Sequence, residues 1–141
     1  MLIQRIVSTI GIISRRKTES GSRTLISELE YHKEADKLLE KLNDYLDSFP
    51  DKFSCDDYFD INYSMGVLTA KISSSIGVYI INKQTPSRQI WLSSPISGPK
   101  RFDFINRKWI YPRENICIDS LLNQEFRKIF NTDEIDFTTV V

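Results

Sequence analysis

Side chains with carboxylate oxygens recur at helical spacing near the start of this chain. The series, which includes the single histidine, is Glu28, His32, Asp36, Glu40, Asp44, Asp47 and Asp51. Because residues three or four apart are neighbours on one helix, these side chains form a stripe. Carboxylates suit hard or borderline cations such as Mg, Ca, Mn or Fe. The stripe therefore predicts an open, mostly water-ligated and weak cation site, with a solvated helix face as the alternative.

The stripe destabilises the helix that carries it. Like charges at i, i+4 cost about 0.2–0.5 kcal/mol per pair, so the series costs roughly 1–2 kcal/mol. Three nearby lysines offset part of this cost: Lys33, Lys37 and Lys41. The acids continue past the helix at Asp56, Asp57 and Asp60. This continuation favours a cation- or partner-binding role over a solvated face. The chain has no Glu-x-x-His pair, which excludes a ferritin-like di-iron centre.

A second group of polar residues surrounds a predicted hairpin. Asn82, Gln84 and Gln89 flank a break at Pro86, and Trp91 follows in the next strand. If Trp91 points outward with these residues and Arg101, it is an exposed aromatic ringed by hydrogen-bonding groups, as is common at protein interfaces. The alternative is that Trp91 belongs to the core, as we expect for Trp109. Alternation alone leaves both orientations open.

These residues must be positioned by a helix, a run of strands and a second helix. Ser27 and Glu30 form a capping box before an apolar stripe that ends at Pro50. Six short segments with strand character then follow: 59–63, 67–72, 78–81, 89–93, 100–104 and 108–111. An amphipathic helix beginning near Asp119 and a tail that packs Ile135 and Phe137 over the core complete the chain. This order predicts an α+β two-layer sandwich, with two helices on one face of a roughly six-stranded antiparallel sheet.

Composition separates the first 23 residues from the rest. The 141-residue chain has a formal net charge of zero, but residues 1–23 carry a net charge of +4 and residues 24–141 a net charge of −4. Apolar residues alternate with arginines in that leader and acids are almost absent, which is typical of a mitochondrial transit peptide; a disordered basic tail is the alternative.

The acidic remainder disfavours nucleic-acid binding. No segment is apolar enough to span a membrane, and we expect Cys55 and Cys117 to be free thiols.

Several long strings in the chain resemble the frataxin family. They are MGVLTAKI at 65–72, INKQTP at 81–86, QIWLSSP at 89–95, SGPKR at 97–101, KWIYP at 108–112 and DSLLNQEFRKIF at 119–130. With the acidic helix, the resemblance covers about residues 27–130. It implies a single frataxin-like domain at 24–141, after a transit peptide at 1–23.

The resemblance implies a function as well as a fold. The family is a mitochondrial iron-binding protein that promotes iron–sulfur cluster assembly. It binds the complex of cysteine desulfurase and scaffold protein in the mitochondrial matrix and aids sulfur transfer and iron delivery. It is also linked to haem synthesis and iron homeostasis. A weak ferroxidase activity, oxidising ferrous iron at the carboxylate ridge, is the alternative function. We expect weakly bound ferrous iron and a monomer, with iron-dependent oligomers as the alternative.

The resemblance also assigns residues. The ridge corresponds to Asp36, Glu40, Asp44, Asp47 and Asp51, with Asp60 on the first strand. The residues themselves leave two interpretations of His32, an exposed helix residue or an extra metal ligand beside Asp36. The scaffold-binding sheet surface corresponds to Asn82, Lys83, Gln84, Gln89, Trp91 and Arg101, and this favours an outward Trp91. Lys37, Ser48, Tyr58 and His32 depart from the acids that relatives often have. These departures weaken the expected iron stoichiometry more than partner binding.

Overall fold

The computed structural model describes residues 25–141, which form a helical layer packed on a sheet. The α-helices are α1 (Glu28–Asp47), α2 (Phe49–Lys52) and α3 (Ile118–Phe130). The strands are β1 (Asp60–Ser64), β2 (Val67–Ser73), β3 (Gly77–Gln84), β4 (Gln89–Ser94), β5 (Gly98–Ile105), β6 (Lys108–Tyr111) and β7 (Ile116–Cys117). The predicted α+β sandwich is confirmed. The transit-peptide prediction concerns residues outside the described range.

The sheet is an antiparallel meander in which each strand pairs with its chain neighbours, in the order β1 to β7. It has seven strands rather than six, because β7 adds two residues beside β6. A two-residue strand is too short to produce a readable alternation. Within residues 25–141, no helix is long and apolar enough to cross a membrane.

Helix α1 begins where the capping box predicts. The Ser27 hydroxyl accepts the Glu30 amide at 3.2 Å, satisfying a donor left unpaired by the first turn. Pro50 was expected to end the helix, but α1 already ends at Asp47, and Pro50 lies in the first turn of α2. A proline is tolerated there because its missing amide would have no helical partner.

The core lies between the helices and one face of the sheet. Leu39 and Leu42 of α1 are fully buried, and Ile90 and Leu92 of β4 are at most 1% exposed. Phe49 of α2 makes edge contacts with aromatic rings from several elements, including Tyr45, Phe53, Phe126 and Phe130. The predicted burial of Trp109, Ile135 and Phe137 is confirmed. Cys55 and Cys117 are free and half-buried, as predicted.

A buried carboxylate joins α3 to the sheet. Glu125 is 7% exposed and accepts the Tyr79 hydroxyl of β3 at 2.7 Å. It also accepts the hydroxyls of Ser94 and Ser97, in and just after β4. The Ser94 oxygen in turn accepts the amides of Ile96 and Ser97, both at 3.0 Å. Burial, followed by the Glu125 interaction, raises the pKa of Tyr79, so its phenol stays protonated and donates.

Replacing Glu125 with alanine is expected to lower the free energy of unfolding by about 2–4 kcal/mol. The substitution leaves buried hydroxyl donors without their charged acceptor, and each unsatisfied group costs about 1–3 kcal/mol. Urea unfolding measures the effect. The matched control is Gln124→Ala, at the exposed adjacent position of α3, where we expect a change within about 0.5 kcal/mol. Equal stabilities for the two variants would contradict the structural role of this network.

Candidate functional site

The outer face of the sheet, away from the helices, carries a row of side chains in register across four strands. Val67 of β2 pairs with Asn82 of β3, Asn82 pairs with Trp91 of β4, and Trp91 pairs with Arg101 of β5. Directly opposed residues in an antiparallel sheet have neighbouring side chains. The structure therefore resolves the open question about Trp91: its side chain lies on the outer face and is partly exposed. We call Asn82, Gln84, Gln89, Trp91 and Arg101 the docking face.

Hydrogen bonds and stacking hold the Trp91 indole in place. Its Nε1 donates to Gln89 Oε1 at 3.0 Å, and Gln89 Nε2 donates to Asp103 Oδ1 at 2.8 Å. The Arg101 guanidinium lies over the indole, 4.6 Å from the ring centroid. Such a cation–π contact contributes about 0.5–1 kcal/mol at an exposed site. An indole fixed from two sides loses little conformational entropy when a partner covers it.

Lys83 does not share the docking face, although the resemblance groups it there. Its neighbours Asn82 and Gln84 point outward, so strand alternation turns Lys83 towards the helices. There its Nζ lies 2.8 Å from Asp36 Oδ1 on α1. The Lys83 side chain is 16% exposed and that of Asp36 is 46% exposed. This ion pair connects a predicted partner-binding residue to a predicted metal ligand.

Tyr31 provides a second connection between the two layers. Its hydroxyl donates to the backbone carbonyl of Gln89 at 2.8 Å, fixing the start of β4 beneath the first turns of α1. Gln89 is also the residue that holds the Trp91 indole. Burial raises the pKa of Tyr31, so the phenol remains a donor through the physiological range. The start of β4 is therefore bonded both to α1, through Tyr31, and to the Trp91 indole of the docking face, through the Gln89 side chain.

Asp36 and Glu40 of α1 lie near Tyr63 of the edge strand β1, and Asp44 and Asp47 continue the same stripe of the helix. Burial raises the pKa of Tyr63, and the negative charges of Asp36 and Glu40 raise it further. Glu40, Asp44 and Asp47 are exposed along this stripe, and Asp51 is exposed on α2. We call Asp36, Glu40, Asp44 and Asp47 the acidic edge.

Three other predicted metal-binding residues complete the set: His32, one turn before Asp36 on α1, Asp51 on α2 and Asp60 on β1. Asp60 opens β1, opposite Lys71 of β2. His32 pairs with Glu28 at 3.7 Å, one turn earlier on α1. Among residues 25–141, no three His, Cys, Asp or Glu side chains come together as a metal-binding group. The acidic edge can therefore offer a cation one or two carboxylates, with water completing the shell.

Three further residues of the outer face are not among those predicted from the sequence. Asp103 accepts from Gln89, while Val67 and Ile80 are 39% and 40% exposed beside the polar row. Alternation could have found Asp103, because it lies two residues after Arg101 in one strand. It could also have placed Val67 and Ile80 outside, since Leu68 and Ile81 are buried.

Comparisons with known proteins agree with this fold. The Frataxin-like domain family matches residues 24–132. The chain is 51% identical over 120 residues to "Frataxin, mitochondrial" of Caenorhabditis elegans, covering 84% of this chain and 88% of the relative. It is 40% identical over 111 residues to the Drosophila melanogaster frataxin homolog, covering 76% of this chain and 58% of that longer protein.

A solved structure is similar as well. Trimeric frataxin from Saccharomyces cerevisiae, complexed with ferrous iron, superposes with a TM-score of 0.63 at 39% identity, covering 70% of this chain and 87% of that one. Helices packed on one face of an antiparallel sheet are the fold that this chain shares with that structure. The chain belongs to the frataxin family. Its relatives are mitochondrial proteins, and the chain is accordingly placed in the mitochondrion.

Substituting Lys83 with glutamine is expected to strengthen divalent-cation binding at the acidic edge by up to about fivefold. In the wild type the Lys83 ammonium competes with the cation for the Asp36 carboxylate. A part-exposed ion pair contributes about 0.2–1 kcal/mol, and the substitution removes this competition. Titration with Mn²⁺, followed by water-proton relaxation, measures the affinity. Arg113→Gln, which removes a positive charge near β6 and β7 at the other edge of the sheet, should change it less than twofold. Identical affinities for the Lys83 and Arg113 variants would show that Asp36 takes no part.

Proposed function

We propose that this protein is an assembly factor for iron–sulfur clusters in the mitochondrial matrix. In this proposal the docking face binds the complex of cysteine desulfurase and scaffold protein, and the acidic edge holds ferrous iron weakly or contacts basic surfaces of that complex. Iron here is cargo. The protein acts by favouring the arrangement of the complex that transfers sulfur to the scaffold, and through this supports haem synthesis and iron homeostasis.

The observation that supports docking most directly is the braced and partly exposed Trp91 indole. A stable fold gains more from burying an indole than from leaving it at the surface. Aromatic and arginine side chains at the centre of a patch are the usual anchors of protein interfaces. Arg101, Gln89 and Asn82 surround the indole with hydrogen-bonding groups, which matches the polar rim of such an interface.

The arrangement of the carboxylates supports weak and exchangeable iron binding. The acidic edge is solvent-accessible and its acids follow one another along a single helix. A hard cation bound by one or two of them keeps most of its water. Such a site releases its ion readily, which suits delivery. The trimeric yeast relative with ferrous iron is consistent with this, and iron-dependent oligomers of this chain are part of the proposal, with the monomer as the resting state.

A cluster-assembly assay with the purified desulfurase–scaffold complex tests the docking proposal. Trp91→Ala and Asn82→Ala are each expected to reduce stimulation of cluster formation at least about tenfold, since interface hot spots contribute about 2 kcal/mol or more. Both side chains are outside the core, so the melting temperature should change little. Ser93→Ala, at an exposed position on the same face of β4, is the matched control and should stimulate normally. Full stimulation by both docking-face variants would refute the proposal.

Oxygen consumption during ferrous oxidation distinguishes the ferroxidase alternative. Ferroxidase chemistry requires iron held with positions open to oxygen, and the acidic edge is the candidate site for that iron among residues 25–141. The triple variant Asp36→Asn, Glu40→Gln, Asp44→Asn is expected to consume oxygen at the same rate as the wild type if the protein acts as an assembly factor alone. A rate that falls severalfold in the triple variant would instead establish the enzyme.

A further inference from the structure

A second polar site lies on the helical layer, away from both the acidic edge and the docking face. A cavity of about 230 Å³ opens between α1, the start of α3 and the turn that joins β5 to β6. Its walls include Lys37 and Lys41 of α1, Arg107 of the turn and Lys108, the first residue of β6. These four exposed cations come from three separate segments and line one space.

The cations of this cavity have no internal partners. Within residues 25–141, none of the four takes part in an ion pair. Glu34, Asp119 and the last residue, Val141, also line the cavity, so the side chains carry a net charge of +2, which the terminal carboxylate of Val141 lowers to +1. The start of α3 lies in the wall, and its N-cap residue, Cys117, makes no side-chain capping bond. The positive end of the α3 dipole adds to the potential.

The backbone at Arg107 is in a conformation that arginine disfavours. Asn106 and Arg107 have φ values of 50° and 64°, so both residues of this two-residue turn are left-handed. Glycine is strongly preferred at the second position of such a turn. The β1–β2 turn of the same molecule follows that preference, with Met65 at φ 52° and Gly66 at φ 75°. A non-glycine residue in this strained conformation is a feature that often marks a functional position.

The cavity also has an apolar wall. Trp109 is 3% exposed, Leu38 is equally buried, and both line the space with Phe104. A volume of about 230 Å³ is below the roughly 300–1,000 Å³ of drug-sized pockets, so the ligand must be small. Cations above an apolar wall suit a molecule with a carbon skeleton and more than one negative group.

We propose that this cavity binds a small organic polyanion, a di- or tricarboxylate or a phosphate ester. Arg107 supplies the forked contact to one anionic group, and Lys37, Lys41 and Lys108 neutralise the others. The site is independent of the proposed docking and iron-binding roles, because no residue of the docking face or the acidic edge lines it.

The test follows Trp109 fluorescence in the otherwise full-length Trp91→Phe protein, where Trp109 is the remaining one of the two tryptophans. Citrate and 2-phosphoglycerate are titrated without added metal, at constant ionic strength, with isothermal calorimetry as a second readout. Citrate represents the carboxylate ligands and 2-phosphoglycerate the phosphate esters, and acetate and sulfate are the controls. We expect saturable binding of at least one organic polyanion, at least about tenfold tighter than sulfate. Equal binding of sulfate, or no binding at millimolar concentrations, would overturn the proposal.

Arg107→Gly provides the sharpest variant. We expect it to raise the dissociation constant at least about tenfold, because a charge-assisted contact is lost, while the melting temperature stays the same or rises as the turn relaxes. The double variant Lys37→Gln, Lys41→Gln should weaken binding similarly. Lys128→Gln, near the other end of α3, removes one charge outside the cavity and should change binding less than twofold. Undiminished binding in Arg107→Gly and in the lysine double variant would rule this site out.

Discussion

Strand alternation under a buried core is the constraint on which the rest of this structure depends. Ile81, Ile90, Leu92 and Phe102 are at most 1% exposed because they meet the helices. Fully burying each such side chain contributes about 1.5–3 kcal/mol. A slip of one residue would move all of them to solvent, so the register is strongly fixed. The residues between them, Asn82, Trp91 and Arg101, are thereby committed to the opposite face. Core packing alone therefore creates an exposed row of polar and aromatic side chains.

Helix α1 divides its charges according to the same geometry. One stripe packs on the sheet, and the residues that flank it cannot be buried. The acids Asp36 and Glu40 lie near Tyr63 of β1, whereas Lys37 and Lys41 line the cavity near the β5–β6 turn. Tyr31 and Lys83 then tie this helix to the ends of β4 and β3. The helix can accumulate like charges because its burial, rather than its own propensity, holds it in place.

Long, strongly periodic features of this chain could be predicted from the sequence. The Ser27 cap, the buried stripe of α1, the order of elements and the burial of Trp109 and Phe137 all follow from local pattern. Alternation did not settle the orientation of Trp91, because Trp91 and its neighbours Ile90 and Leu92 are all apolar enough for a core. The resemblance groups Lys83 with Asn82 and Gln84, whereas strand alternation turns Lys83 towards the helices, where it pairs with Asp36. Glu125 gave no signal, as a buried carboxylate in a helix looks the same in sequence as an exposed one. The Arg107 cavity likewise depends on the packing of three elements, which local sequence patterns do not predict.

The central claim is that burial of the core presents the Trp91 indole at a surface that a partner then covers. Hydroxyl-radical footprinting with mass spectrometry measures this directly at both tryptophans of the chain. Our account predicts that Trp91 is oxidised readily in the free protein and is protected when the desulfurase–scaffold complex is added, whereas Trp109 resists oxidation in both states. A Trp91 that resists oxidation in the free protein, or that is oxidised equally with and without the complex, would contradict it.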